Sequence, residues 1–345
     1  MSTPSTNREY KLPNINCGNL KLDDIVIANI KDFPRGTPEE AQTISDLYRQ
    51  ATIIQGDVWE EPPFEWVPPH NMQAADEIGG TITVAYTYVT RDGEITKNRN
   101  GTKRVVGMIY ETPGIQVNNG FPRPYMYSHL MATDTEVKKR VTGVGFLMKK
   151  KQRDNNFKKG ITEVRWTYDP LQSLNACVNI SKCGAVVSDY KRSVYDLVGI
   201  NAGVEADRFE AVWPITSQHV RNKIDNPSNN GMKDALLRQL DRTKSANETC
   251  IYRRAGQGSY RVIDRITFGL DEPVITIEIP INFIDMIKTL PEEMKTNKFS
   301  IAKDWRKKTG ELFEHYFGRG YVVRDFVVDK ENRAHYFLEK GFKPE

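Results

Sequence analysis

The sequence predicts an α+β protein with a large buried core, and three observations predict it. Its 345 residues are enough for about two domains. Hydrophobic residues make up 39% and aromatic residues 10%, too much apolar material for a chain that stays unfolded. Strand-like segments with β-branched alternation also trade places repeatedly with segments that carry helix caps.

The elements follow in order. Asp24–Ile30 reads as a strand. Thr37-Pro38-Glu39-Glu40 gives an N-cap, a proline at the first helical position and acids in the first turn, opening a helix to about Gln50. Val58–Asn71, rich in Pro and Trp, is expected as an ordered surface loop. Gly79–Thr90 and Lys103–Glu111 alternate and read as strands joined through Arg91-Asp92-Gly93. Tyr125–Thr133 is another strand, Val144–Asn156 a helix and Ile161–Tyr168 a strand. Asp169-Pro170 then reads as N-cap and first residue of a helix over Leu171–Lys182, closed by Gly184. Ala185–Tyr190 and Asp207–Ile215 complete a run of strands. Thr216–Gly258 is polar and reads as a boundary or insertion, with one candidate helix at Lys233–Arg242. Strands at Arg261–Phe268, Val274–Pro280, Tyr321–Val328 and His335–Leu338, with a helix near Lys303–Tyr316, make the rest α+β. The expected organisation is an N-terminal extension (1–22), a first domain (23–215), a polar linker or insertion (216–258) and a C-terminal region (259–345).

Several classes are excluded at this level. The longest apolar stretches, such as Val274–Met286, carry charges like Glu278 and Asp285, and none approaches the roughly 18 uninterrupted apolar residues of a membrane span. The first 22 residues lack an apolar signal core, and Cys17, Cys177, Cys183 and Cys250 show no CxxC spacing, so the expectation is a soluble protein of a reducing cytoplasm. Cys177 and Cys183 read as small core residues rather than reactive thiols. The net charge of +4 does not argue for a nucleic-acid partner. P-loop, dinucleotide, zincin and nucleophile-elbow signatures are all missing, and the five histidines show no metal-ligand spacing, so no metal is expected.

What remains is Arg140-Val141-Thr142-Gly143-Val144-Gly145, between a strand and a helix. Glycines in such a turn let successive N–H groups point into one concavity, and the helix start adds partial positive charge. Together they suit a diphosphate. Lys138, Lys139, Lys149, Lys150, Lys151, Arg153, Lys158 and Lys159 stand nearby in sequence as further charges for a multiply phosphorylated ligand. Taken bare, the pattern serves equally as a turn that merely allows tight packing, and the charge run as a solvated helix face.

The segment resembles the GNAT superfamily of acyl-CoA N-acyltransferases, whose motif is Gln or Arg, two residues, Gly, one residue, then Gly or Ala. Arg140, Gly143 and Gly145 match it, and Glu163–Tyr168, Leu171–Cys183 and Ala185–Ser188 are similar to its next strand–helix–strand block. Ser128-His129-Leu130-Met131, Trp166-Thr167-Tyr168-Asp169-Pro170-Leu171, Asn175-Ala176 with Asn179, and Asp207-Arg208 with Trp213 resemble a narrower group of bacterial and archaeal members, some thought to acylate amino acids. The likeness covers residues 20–215 well and, through Trp305-Arg306 and Gly320-Tyr321, the C-terminal half more loosely.

The resemblance implies α/β/α layers around a mixed, mostly antiparallel sheet with splayed central parallel strands, here Tyr125–Thr133 and Ile161–Tyr168. It implies acetyl-CoA or another acyl-CoA, such as succinyl-CoA, as co-substrate. The main chain of Met131, Ala132 and Thr133 would hold the pantetheine, and the N–H groups of Val141–Gly145 the pyrophosphate. Asn175 and Asn179, four apart on one helix face, could reach the cofactor or a water, or lie on the surface. The acceptor amine attacks directly, so a base is needed, and His129 suits that role by its ordinary pKa near 6.5. A hydrogen-bonded structural histidine is the other reading. Many members carry a tyrosine acid where this chain has Ile180; Tyr190 or Tyr195 are the substitutes considered. The acceptor is expected to be a small-molecule amine such as an amino acid, with no membrane partner. A protein or tRNA amine, a hydroxyl acceptor and a non-catalytic acyl-CoA sensor or scaffold stay open.

Overall fold

A computed structural model describes residues 12–60, 62–195, 204–226, 230–254, 258–289 and 301–345. The chain forms two compact units, Met1–Asn156 and Phe157–Glu345, and is a mixed α+β structure in which the strand pairings within each unit are antiparallel. Among the described residues no helix is long and apolar enough to cross a membrane.

In the first unit, strands β1 (Val26–Asn29), β2 (Thr81–Val89), β3 (Thr102–Asn118) and β4 (Phe121–Thr133) lie side by side in that order. Helix α1 (Pro38–Trp59) starts as expected, with Thr37 capping the Glu40 N–H and Glu40 returning the bond. It runs past Gln50 because Ile44, Leu47, Tyr48, Ala51 and Ile54 continue one apolar stripe against Val84, Met108 and Tyr110. The expected Pro/Trp loop holds the end of α1, a 3₁₀ turn at Pro63–Glu65 and the start of α2 (Pro69–Glu77), where Pro69 takes the first helical position. The opposite sheet face carries α3 (Thr135–Arg140) and α4 (Val144–Lys158), through Val137, Val141, Val144 and Met148 on Ala85, Val106 and Ile109. Each face of this sheet is therefore covered by helices.

The β3–β4 hairpin is longer than its apolar pattern indicates. Its turn is Asn119-Gly120, both at positive φ (51° and 82°), which suits the twist of paired strands. Prolines in both strands hide this extension from the sequence.

In the second unit the sheet order is β5 (Glu163–Tyr168), β7 (Ala206–Pro214), β6 (Val186–Tyr195), β11 (Tyr321–Val328), β12 (Ala334–Lys340) and β10 (Val274–Ile279). A separate hairpin pairs β8 (Asn247–Arg254) with β9 (Gly258–Ile266). The polar stretch expected as linker thus contains α6 (Gln218–Ile224), α7 (Asn230–Leu240) and β8, while 227–229 and 255–257 lie outside the described residues. Leu236, Leu237 and Leu240 of α7 pack on Val274, Val327 and Phe337. The remaining helices are α5 (Ser173–Ala176), continued by a π-turn over Cys177–Lys182, α8 (Phe283–Thr289) and α9 (Ile301–Gly318).

Asp169 is not the cap of α5, which Gln172 precedes. Its carboxylate accepts the Leu171 N–H at 2.8 Å and both terminal nitrogens of Arg306 at 2.7 Å. The pair is buried, and Arg306 with the other donors holds the Asp169 carboxyl below its usual range even though burial alone would raise it. A pair 137 residues apart fastens α9 to the end of β5. Replacing one member of a buried ion pair strands the other's charge. Arg306→Leu should cost about 3–5 kcal/mol in urea unfolding; a loss below about 1 kcal/mol, the size of an exposed pair, would contradict this role.

Candidate functional site

The expected site residues of the first unit lie on one continuous piece of chain: β4, then α3, then the turn into α4. Asp134 caps α3 by accepting from Glu136 and Val137 and is fixed by Arg104 at 2.6 Å. Helix α3, unforeseen in the sequence, ends with the Val141 N–H donating to the Val137 carbonyl at 2.8 Å. That corrects one expectation, because the Val141 amide is used within the protein and cannot also serve a ligand. The following amides differ. Among the described residues, the N–H groups of Thr142, Gly143, Val144, Gly145 and Phe146 have no protein acceptor, and helical bonding resumes with Leu147 donating to Gly143. These are the orphan donors of a helix start, gathered by a glycine turn.

Both glycines have a local physical reason. Gly143 sits at φ +99°, a backbone conformation that other residues enter only with strain. At Gly145 a Cβ would stand 2.7 Å from the terminal methyl of Met131, so its bareness lets the head of α4 rest against β4. Ala132 is buried, while Met131 and Thr133 are half-buried. Arg140 and Lys138 are exposed at the end of α3 with no carboxylate partner among the described residues, whereas Lys139 is paired with Glu136 at 2.6 Å.

His129 occupies an irregular position. The β3–β4 register passes from Tyr110 opposite Leu130 to Glu111 opposite Ser128, leaving His129 as the extra residue of a β-bulge. Bulges re-aim a side chain at the cost of one ladder step. The imidazole stands edge-on to Tyr110 with centroids 5.6 Å apart and against Tyr127 at 6.1 Å. The residue remains exposed on one side, and the protein packed around the rest of the ring lowers its pKa below the ordinary 6.5, which favours the neutral form whose lone pair can accept a proton.

Behind the bulge lies a buried polar network that sequence reasoning missed. Lys149, only 2% exposed, donates to the Ser128 hydroxyl at 3.3 Å and to the Gln152 amide oxygen at 3.0 Å. Gln152 and Asn156 each donate to Glu111 at 2.8 Å. Lys149 therefore leaves the expected set of phosphate-facing charges: a lysine inside a basic run looks like solvated surface, and only its packing shows otherwise.

The other predicted residues belong to the second unit. The Tyr190 hydroxyl donates to Asp207 at 2.7 Å, its ring lies against Phe209 and Phe313, and burial raises its pKa. Its proton is committed, which corrects the expectation that it serves as a thiolate acid. The side chain of Tyr195 lies outside the described residues. Asn175 donates to Gln172 at 3.0 Å, and Asn179 is buried in the π-turn. Ile180 is fully buried and contributes its carbonyl to Lys223.

No protein-family model matches the chain, and no curated protein matches it. Among solved structures it is similar over 56% of its length to 99% of a chain of the NatC complex bound to Gag peptide and CoA, at 14% identity and TM-score 0.37. It is similar over 56% of its length to 94% of a putative acetyltransferase from Salmonella typhimurium with acetyl-CoA, at 15% identity and TM-score 0.35. A GNAT family acetyltransferase from Elizabethkingia anophelis with acetyl-CoA bound is matched over 99% of its chain by 56% of this one, at 12% identity and TM-score 0.33.

The His129 geometry is open to direct titration. Its ring proton resonances should titrate with a midpoint below 6.5; a midpoint above that value would mean a carboxylate partner that the structure does not place there.

Proposed function

We propose that the chain is an acyl-CoA-dependent N-acyltransferase, moving an acetyl or succinyl group to the amine of a small molecule such as an amino acid. The observation that carries this reading is the run of five unclaimed amides from Thr142 to Phe146. It lies at the head of a 15-residue helix and is joined through α3 to the bulged strand bearing His129. Amides and helix dipole together suit the diphosphate of coenzyme A, with Arg140 and Lys138 adding mobile positive charge. The main chain of Met131, Ala132 and Thr133 would hold the pantetheine in the manner of an added strand.

The chemistry needs little from the protein beyond position and a base. A neutral amine nitrogen attacks the thioester carbonyl, an oxyanion forms, and the carbon–sulfur bond breaks as the carbonyl returns. The attacking nitrogen gives up one proton, which His129 accepts, and the departing coenzyme A thiolate is finally protonated to the thiol. No enzyme-bound acyl intermediate is required, so proximity and oxyanion stabilisation supply most of the acceleration. With Ile180 apolar and Tyr190 held by Asp207, the thiolate takes its proton from solvent or from His129.

The donor and base roles separate experimentally. Gly145→Glu is preferable to a change at Gly143, because only the flexible end of Met131 must move to admit it, while its carboxylate would repel a diphosphate. This variant should lose coenzyme A binding and retain its unfolding transition; unchanged affinity would overturn the assignment. His129→Ala should lower kcat on the order of 10²–10⁴-fold with little effect on donor affinity. Protonation of His129 should lower the wild-type rate at pH values below the ordinary imidazole range, since the base must be unprotonated. Thiol release from acetyl-CoA and succinyl-CoA across an amine panel is the corresponding assay. Coenzyme A binding with no release against any amine would instead mark a sensor or scaffold.

A further inference from the structure

The β3–β4 hairpin continues past the strand that supports it. Strand β2 begins at Thr81, opposite Glu111, so from Thr112 to Asn118 β3 is paired only with β4 among the described residues. Side chains alternate across a ribbon, which puts Glu111, Pro113, Ile115 and Val117 on one face and Thr112, Gly114 and Gln116 on the other. Helix α4 covers the first face as far as Glu111, where Gln152 and Asn156 reach it, and Met126, opposite Pro113, is still buried. Beyond them Ile115 is 70% and Val117 66% exposed, and Pro113, Pro122 and Pro124 are exposed with them. Thr112, Gly114 and Gln116 are half-buried. The usual order is inverted: the face left to water carries the apolar set, where a solvated sheet face ordinarily carries the polar one.

The prolines disfavour the other route by which a protruding ribbon associates. The register sets Pro113 against Met126, Ile115 against Pro124 and Val117 against Pro122, one proline in each pair. A proline has no N–H to exchange, so these are the non-hydrogen-bonded pairs of the ladder, whose backbone groups point outward. Pro122 and Pro124 thereby remove two donors from the outer edge of β4, and Pro113 removes one from β3, which works against strand addition. Side chains in such pairs stand closest across a ribbon, so Pro113, Ile115, Val117, Pro122 and Pro124 make one continuous apolar strip.

The strip has no charged or hydrogen-bonding side chain, so a matching surface must also be apolar and uncharged. The same strip on another molecule, turned about a two-fold axis, meets that requirement. At roughly 100 Å² for each exposed aliphatic side chain, the five residues present about 500 Å² on each copy and about 1,000 Å² in a pair, the size at which specific interfaces begin. Three of the five are prolines, which lose no rotamer freedom on burial. We propose that this face is where the chain pairs with a second copy of itself, the two ribbons stacking about 10 Å apart in a weak, reversible dimer.

The test uses the full chain without any acyl donor, so its outcome is independent of the transferase reading. Sedimentation equilibrium from about 1 µM to about 1 mM should fit a monomer–dimer equilibrium with a dissociation constant on the order of 10–100 µM. Ile115→Lys/Val117→Lys places two ammonium groups on the strip and should weaken the dimer at least about tenfold while the unfolding transition is retained, since both positions are exposed. Arg123→Ser, exposed on the opposite face of the hairpin, should leave the dissociation constant unchanged. A chain that stays monomeric up to about 1 mM would overturn the proposal. So would a dimer that the double lysine variant does not weaken, or a strip that takes the monomer onto phosphatidylcholine vesicles without any self-association.

Discussion

The proposed diphosphate cradle and the proposed base of the first unit both depend on how closely the head of α4 approaches β4. Gly145 leaves only enough space for the Met131 methyl, and Met148, one turn further on, sits where a Cβ on Gly107 would be. Lys149 then reaches through the interior to Ser128, next to the bulge, and Gln152 and Asn156 fasten the same helix to Glu111. The helix is thus held by bare backbone at its start and by charge-assisted hydrogen bonds along its length. Such a network is costly when incomplete, because each buried polar group left without a partner forfeits its hydration. Its members therefore fix the position of α4, and with it the direction of the unclaimed amides.

The bulge is the complementary half of this arrangement. An ordinary ladder would give His129 a partner across from β3; the slip between Tyr110 and Glu111 removes it. Ser128, the neighbour of the extra residue, is the one that Lys149 grips. The proposed base and the proposed diphosphate cradle are thereby referenced to one helix, which is how a geometry suited to acyl transfer can be kept without catalytic residues on mobile loops.

Much of this was legible in the sequence where a local rule applied. The cap and proline of α1 stand in four consecutive residues, and alternation gives β2, β4 and β5 within a few positions. The glycine turn is readable because few residues tolerate the φ of Gly143. Failures came wherever a distant partner decided the outcome. Asp169 has a helix-cap sequence context but belongs to Arg306, 137 positions away. Tyr190 looks like a free phenol until Asp207 is placed beside it, and Lys149 looks like surface until Ser128 and Gln152 are. The bulge at His129 leaves no mark on hydrophobic periodicity, since it arises from strand register, a property of two segments together. The polar composition of 216–258 masked α7 because a helix needs only a narrow apolar stripe, here Leu236, Leu237 and Leu240.

The most direct measurement is the backbone amide spectrum of the full chain during titration with coenzyme A. The N–H resonances of Thr142, Gly143, Val144, Gly145 and Phe146 should shift downfield together on acquiring phosphate acceptors, while that of Val141, already bonded to Val137, moves little. Saturable coenzyme A binding that leaves those five resonances in place, or no binding at all, would contradict the anion cradle at the start of α4.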